Sequence, residues 1–154
     1  MLNPAMKSFI LAPRFAVIGR ILSDPTRFDN KVLRFYLSHS LPVTPIKPQS
    51  SPQTPSQISE ETIEGLSVLS DIAQLGDITN TAISVIIRPD VGVPMIKRLF
   101  TGENQPWGVW FQPGAENGEL DRFVKENKLE DKVIYGGPCI LRSGQELLKS
   151  RSKM

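Results

Sequence analysis

Short apolar runs alternate along this chain with stretches whose apolar positions repeat at helical spacing. Phe15-Ala16-Val17-Ile18 is an unbroken apolar run closed by Gly19, which predicts a buried strand. From Asn30 to His39 the apolar positions fall at Val32, Leu33, Tyr36 and Leu37, the spacing of one helical face, with Asp29 or Asn30 as the expected cap. Leu41 to Ile46, β-branched and extended by its prolines, predicts a second strand. Lys47 to Ser59 is rich in Pro, Ser and Gln without apolar periodicity, so it is expected to be an exposed loop.

Beyond that loop the alternation resumes. Glu64 to Val68 predicts a short strand, and Ser70 to Leu75 a short helix capped by Ser70. Thr81 to Ile87, β-branched and uncharged, is the clearest strand of the chain. Val93 to Phe100 has a helical apolar face of Met95, Ile96, Leu99 and Phe100, with Pro94 expected in its first turn. Trp107 to Phe111 predicts a strand, Glu116 to Asn127 a helix with acids near its start, Lys132 to Tyr135 a strand, and Ser143 to Lys149 a closing helix. Strands alternating with helices imply right-handed βαβ units. The expected fold is therefore α/β, a Rossmann-like, doubly wound, mostly parallel sheet of five to six strands with helices on both faces.

Length and composition narrow this further. A chain of 154 residues fits one domain, here residues 14–150, preceded by a lead-in over 1–13 that is expected to be unstructured. Residues 1–23 carry Lys7, Arg14 and Arg20 but no acid, a faint likeness to a mitochondrial presequence; a cytoplasmic location is the main expectation. One cysteine and no Asn-x-Ser/Thr acceptor suit a reducing compartment. A net charge of +2 is too small to imply nucleic acid, and no apolar stretch is long enough to span a bilayer.

In open parallel sheets ligands sit at the carboxyl ends of the strands, where strand order reverses. The segments that follow the predicted strands are Gly19 to Ser23, Ile46 to Pro48, Arg88-Pro89, Gln112-Pro113-Gly114 and Gly136-Gly137-Pro138, each punctuated by Gly or Pro. A nicotinamide site needs G-x-G-x-x-G after its first strand, but after Gly19 no glycine appears before Gly65. Where NAD sites place an acid at the end of the second strand, this chain has Lys47, which suits a ribose phosphate. NAD is disfavoured on both counts, while NADP and coenzyme A stay open. Arg20, Arg27 and Lys31 surround the expected start of the first helix, where free N–H groups favour anions, but Asp24 and Asp29 lie in the same loop.

Taken in order, Phe15 to Gly19, Ser23 to Leu33, Pro42 to Pro48, Arg88-Pro89, Trp110 to Ala115 and Gly136 to Ile140 resemble the small stand-alone coenzyme A-binding proteins. These are similar to the cofactor-binding domain of the succinyl-CoA synthetase α subunit. The resemblance covers Phe15 to Leu141. It implies a domain that binds coenzyme A or an acyl-coenzyme A and performs no chemistry alone. It also implies a nucleotide over Gly19, Arg20, Ile21 and Ser23, with Lys47 at the ribose phosphate and Arg88-Pro89 along the pantetheine path. Asn30, Lys31, Gln112 and Pro113 complete the expected binding set. Three departures stand out: Gly19-Arg20-Ile21-Leu22-Ser23 replaces the usual Gly-Ala-Ser, Phe28-Asp29 the usual Phe-Gly, and Lys47-Pro48 the usual Asn-Pro. Ile21 and Asp29 thus decide whether the groove is open. If it is closed, the alternative is a degenerate Rossmann scaffold that holds a protein partner.

Catalytic arrangements are sparse. Cys139 follows a Gly-Pro turn, but a nucleophilic thiol needs a nearby base, and His39, the only histidine, is expected at the far end of the first helix. One cysteine and one histidine make no zinc site, Glu60-Glu61 is expected to be solvated, and Tyr36 and Tyr135 have no lysine at oxidoreductase spacing.

Overall fold

The computed structural model describes residues 3–20, 22–48 and 62–152. Five strands build its main sheet: β1 (Arg14–Gly19), β2 (Val43–Ile46), β5 (Thr81–Ile86), β6 (Gly108–Phe111) and β7 (Val133–Ile134). They lie in the order β2-β1-β5-β6-β7, and every neighbouring pair is parallel. The remaining strands, β3 (Thr62–Ile63) and β4 (Leu66–Ser67), form a separate antiparallel hairpin. Leu69 then runs parallel to Ile46 as a single bridge, its N–H donating to the Pro45 carbonyl at 3.0 Å while its carbonyl accepts from the Lys47 N–H at 2.8 Å. With Leu69 as a rudimentary outer strand, the sequence order across the sheet is 3-2-1-4-5-6, the Rossmann order.

Side-chain alternation along the strands divides the core in two. Phe15, Val17, Ala82, Trp110 and Ile134 face α1 (Pro4–Ile10), α2 (Phe28–Ser38) and α5 (Ile140–Ser152). Ala16, Ile18, Ile83, Val85, Val109 and Phe111 face α3 (Pro89–Thr101) and α4 (Gly118–Glu126). Central β5 is buried from Thr81 to Val85, as its uncharged sequence requires. No helix of the described residues is long and apolar enough to cross a membrane.

The structure corrects several expectations. The segment before β1 is no unstructured lead-in. Asn3 caps α1 by accepting from the Met6 N–H at 2.8 Å, Pro4 opens it, and Ala5, Met6, Phe9 and Ile10 are buried. Phe9 meets the Trp110 ring edge-on at 5.4 Å, and Arg151 at the end of α5 donates to the Ile10 and Ala12 carbonyls at 2.7 and 3.0 Å. Two turns are too short for apolar periodicity to register; the burial comes from residues about 100 and 140 positions away.

The strand expected over Glu64 to Val68 is instead the turn and second arm of the β3–β4 hairpin. Glu64 and Gly65 both take positive φ (53° and 78°), the pattern of a two-residue hairpin turn. The short helix after it is a single 3-10 turn, Ile72–Gln74, capped by Asp71 rather than Ser70, with Gln74 closing the capping box. Nor does Asp29 or Asn30 cap α2: Arg27 holds the cap position without a side-chain bond, and both residues lie inside the first turn. Pro94 falls within α3, which Pro89 opens, rather than in its first turn. The loop expected over Lys47 to Ser59 lies, beyond Pro48, outside the described residues, as do Glu60, Glu61 and Ile21.

Candidate site at the switch point of the sheet

After β1 the chain turns through α2 to β2 on one side; after β2 it crosses to β5 on the other. The connections that leave β1 and β5 therefore run to opposite faces, to α2 and to α3, and a crevice opens between them at the strand ends. A cleft of about 390 Å³ occupies this place, lined by Arg20, Thr26, Arg27, Phe28, Asp29, Ile86, Ile87 and Arg88. Gly19, paired with Ile86, ends β1 beside it.

Two helices begin at the cleft. Arg27 is the cap residue of α2 and Arg88 that of α3, so both helix N-termini point the positive ends of their dipoles toward it. Arg20 leaves the end of β1 exposed, which brings three guanidinium groups to one opening. Arg88 also pairs with Asp90 at 3.2 Å, both side chains being about two-thirds exposed (65% and 68%), where such a pair adds little stability. The Asp24 carboxylate is turned onto Thr26, accepting from its N–H at 3.0 Å and its hydroxyl at 2.7 Å. The Thr26 amide bond holds that carboxyl below the ordinary aspartate range, with the hydroxyl and Arg27 adding to it.

Asp29 lies deeper. It is 6% exposed and packs against Gly19, where an added Cβ would stand 2.7 Å from both Asp29 Cβ and Oδ2. Its Oδ1 accepts from the Asn30 N–H at 3.0 Å. Asn30, fully buried, donates through Nδ2 to the Leu22 carbonyl at 2.5 Å and tethers the β1–α2 loop to the helix.

The expected binding residues separate into groups. Arg20 and Arg88 meet at the cleft, with Gly19 just before Arg20 in β1 and Pro89 opening α3 beside it. Lys47 follows Ile46, the register partner of Ile18, directly past the end of β2. Its side chain is half-buried at the same edge of the sheet. Ser23 is exposed in the loop, and Lys31 turns to a separate groove with Arg34, Phe35 and Leu141. Ile21 lies outside the described residues.

Gln112 is wholly buried at the end of β6. Its Oε1 accepts from the Ile140 N–H at 3.1 Å, anchoring the first turn of α5, and its Nε2 has no hydrogen-bond partner. Pro113 beside it is exposed. Thr26, Arg27, Phe28, Ile86 and Ile87 line the cleft without having stood in the expected binding set. Arg27 was legible as a cation beside a helix start, and Thr26 and Phe28 flank it in sequence; Ile86 and Ile87 needed the register between β1 and β5.

Cys139 and His39 are far apart in the fold. His39 closes α2 at the edge where the strands begin, its Nδ1 2.8 Å from the Phe35 carbonyl, whereas Cys139 precedes α5 at the edge where they end. Among the described residues no group of three His, Cys, Asp or Glu side chains could hold a metal ion.

Sheet order and the basic cleft at the order reversal define a Rossmann-like α/β domain. The chain belongs to the CoA binding domain family, whose model matches residues 13–145. No curated protein matches it. Among solved structures it is similar to a conserved hypothetical protein from Pyrococcus furiosus, at 27% identity and a TM-score of 0.63, covering 84% of this chain and 97% of that one. A protein from Thermus thermophilus superimposes with a TM-score of 0.70 at 20% identity, covering 95% of this chain and 99% of the other. A protein redesigned for binding gives 0.67 at 19% identity, covering 96% and 94%. The last two likenesses concern the fold.

Proposed function

We propose that the domain binds coenzyme A or an acyl-coenzyme A in the cleft between β1 and β5, and that it catalyses no reaction alone. The observation that carries this reading is the convergence of Arg20, Arg27 and Arg88 on the point where strand order reverses. Guanidinium groups meet phosphate oxygens through paired, charge-assisted hydrogen bonds, and the Phe28, Ile86 and Ile87 walls suit an adenine or pantetheine surface. Family membership supports the same ligand class. Lys47, at the end of β2, is the residue we assign to the 3′-phosphate of the ribose. Separation of His39 from Cys139 supports the non-catalytic part of the reading.

Asp29 favours a second reading. A carboxylate buried at the start of α2 opposes a bound anion, as it would in a scaffold that has lost its ligand and holds a protein partner. Calorimetric titration with coenzyme A, its acyl thioesters, NAD and NADP separates the two. Saturable binding of coenzyme A or a thioester, with none of NAD, is the expected result. Binding of none of the four would overturn the cofactor reading in favour of the scaffold, and preference for NADP would make this a nicotinamide-binding domain.

A further inference from the structure

The N-terminus of a helix at a switch point is where this kind of fold offers free amides to a bridging diphosphate. In this chain the first turn of α2 already contains an anion. Asp29 is its second residue; the side chain folds back onto Gly19 at the end of β1, is 6% exposed, and accepts from the Asn30 amide at 3.0 Å. Asn30 in turn holds the Leu22 carbonyl at 2.5 Å, so the loop that brings the chain from β1 to α2 is tied to the same turn. The other helix at the cleft is no substitute. Pro89 removes the first amide of α3, and Asp90 follows it in the first turn.

One backbone amide is thus lost at each helix start, that of Asn30 to Asp29 and the first of α3 to Pro89, and each first turn carries an aspartate, while three arginines stand exposed around the opening. We infer that Asp29 is a specificity residue: it keeps a diphosphate off the start of α2 and leaves anion recognition to side chains, Arg20, Arg27 and Arg88 at the cleft and Lys47 at the end of β2. This rests on the proposed cofactor cleft and names what the cleft prefers. Arginine side chains can follow a phosphomonoester that projects outward, but a diphosphate laid across Gly19 meets the Asp29 carboxylate at short range, where burial weakens screening. Ligands that depend on their diphosphate for affinity are therefore selected against, and ligands with a terminal phosphomonoester are not.

The test compares ADP and dephospho-coenzyme A, which carry a diphosphate alone, with adenosine 3′,5′-bisphosphate, which carries two monoesters, and takes coenzyme A as the reference ligand. Each is titrated by calorimetry into the native chain, Asp29→Asn and Asp29→Gly. Asparagine keeps the size and the acceptor on the Asn30 amide, so one variant stays folded even if glycine loosens the turn; thermal melts verify this. Removal of the charge should tighten ADP and dephospho-coenzyme A by about tenfold or more, and the bisphosphate by less than about threefold. Equal tightening of ADP, dephospho-coenzyme A and the bisphosphate would overturn the inference, because a general loss of negative charge would explain it, and so would no tightening at all. If the native chain binds coenzyme A and the variants gain nothing for the diphosphates, only the inference falls. If neither the native chain nor either variant binds any of them, the cofactor reading falls as well.

Discussion

Gly19 and Asp29 touch across the start of the cleft so closely that no side chain fits between them: a Cβ on Gly19 would lie 2.7 Å from Asp29 Cβ and Oδ2. Gly19 is thus required by close approach rather than by an unusual backbone angle. Gly19→Ala should destabilise the domain by about 1–3 kcal/mol in chemical denaturation, the usual cost of overpacking. Combining it with Asp29→Gly should restore most of the loss. A single variant as stable as the native chain would show that the first turn of α2 moves away freely.

Beneath the sheet, the Tyr36 hydroxyl lies 2.9 Å from the Ser84 hydroxyl, both residues fully buried. Burial pushes the Tyr36 phenol well above its ordinary range, with Ser84 partly opposing, so the hydroxyl stays neutral and shares a proton with serine. Tyr36→Phe should cost about 1–3 kcal/mol by stranding the Ser84 hydroxyl under the central strand. Adding Ser84→Ala should cost less than the sum of the two single changes, as measured in a double-mutant cycle.

Lys47→Ala should weaken coenzyme A by about tenfold or more, the worth of a charge-assisted contact, and leave dephospho-coenzyme A nearly unchanged. Competition between the two ligands on the native and variant chains measures this directly. Equal losses for both would remove Lys47 from the 3′-phosphate.

On α4, the Tyr135 hydroxyl donates to Asp121 Oδ1 at 2.7 Å. That bond is the main reason the Asp121 carboxyl sits below the ordinary aspartate range, with Lys125 second. Desolvation first, then the hydrogen bond to Asp121 and its charge, push the Tyr135 phenol up to about 12. The signs differ. Asp121 is depressed in the folded state, so its contribution is present above its unfolded value, about 3.9, and is lost as pH falls. Tyr135 is raised, so its contribution is present below about 10 and is lost as pH rises toward 12. Tyr135→Phe should move the Asp121 midpoint back up toward the ordinary range in an NMR titration. It should also flatten the alkaline loss of stability above pH 10.

Residues 14–19, 81–86 and 108–111 were legible as strands because unbroken apolar runs need burial on both faces, and only a parallel sheet covered by helices supplies it. The same local chemistry announced α2 and α4, whose apolar stripes repeat every three to four residues. The coenzyme A-binding family was legible as well, through short pieces in the right order from Phe15 to Ile140. Fold class and family follow from what each segment must bury, and that information is local.

Contacts between distant segments were decided by the tertiary structure alone. Helix α1 exists because Asn3 caps it and because Trp110 and Arg151, far along the chain, meet its buried side and its end. Glu64-Gly65 became a hairpin turn rather than strand, since two adjacent positive φ angles leave no straight ladder. At the cleft, the sequence brought Arg20 and Arg27 to one helix start and put Arg88 at a strand end in the same expected set, but Ile86 and Ile87 joined them only through the pairing of β1 with β5. Asp29 shows the division most clearly. Its identity placed a charge near a helix start, and its packing against Gly19 decided that the charge lies buried in the turn, because a glycine at the end of β1 has no Cβ to push the carboxylate away.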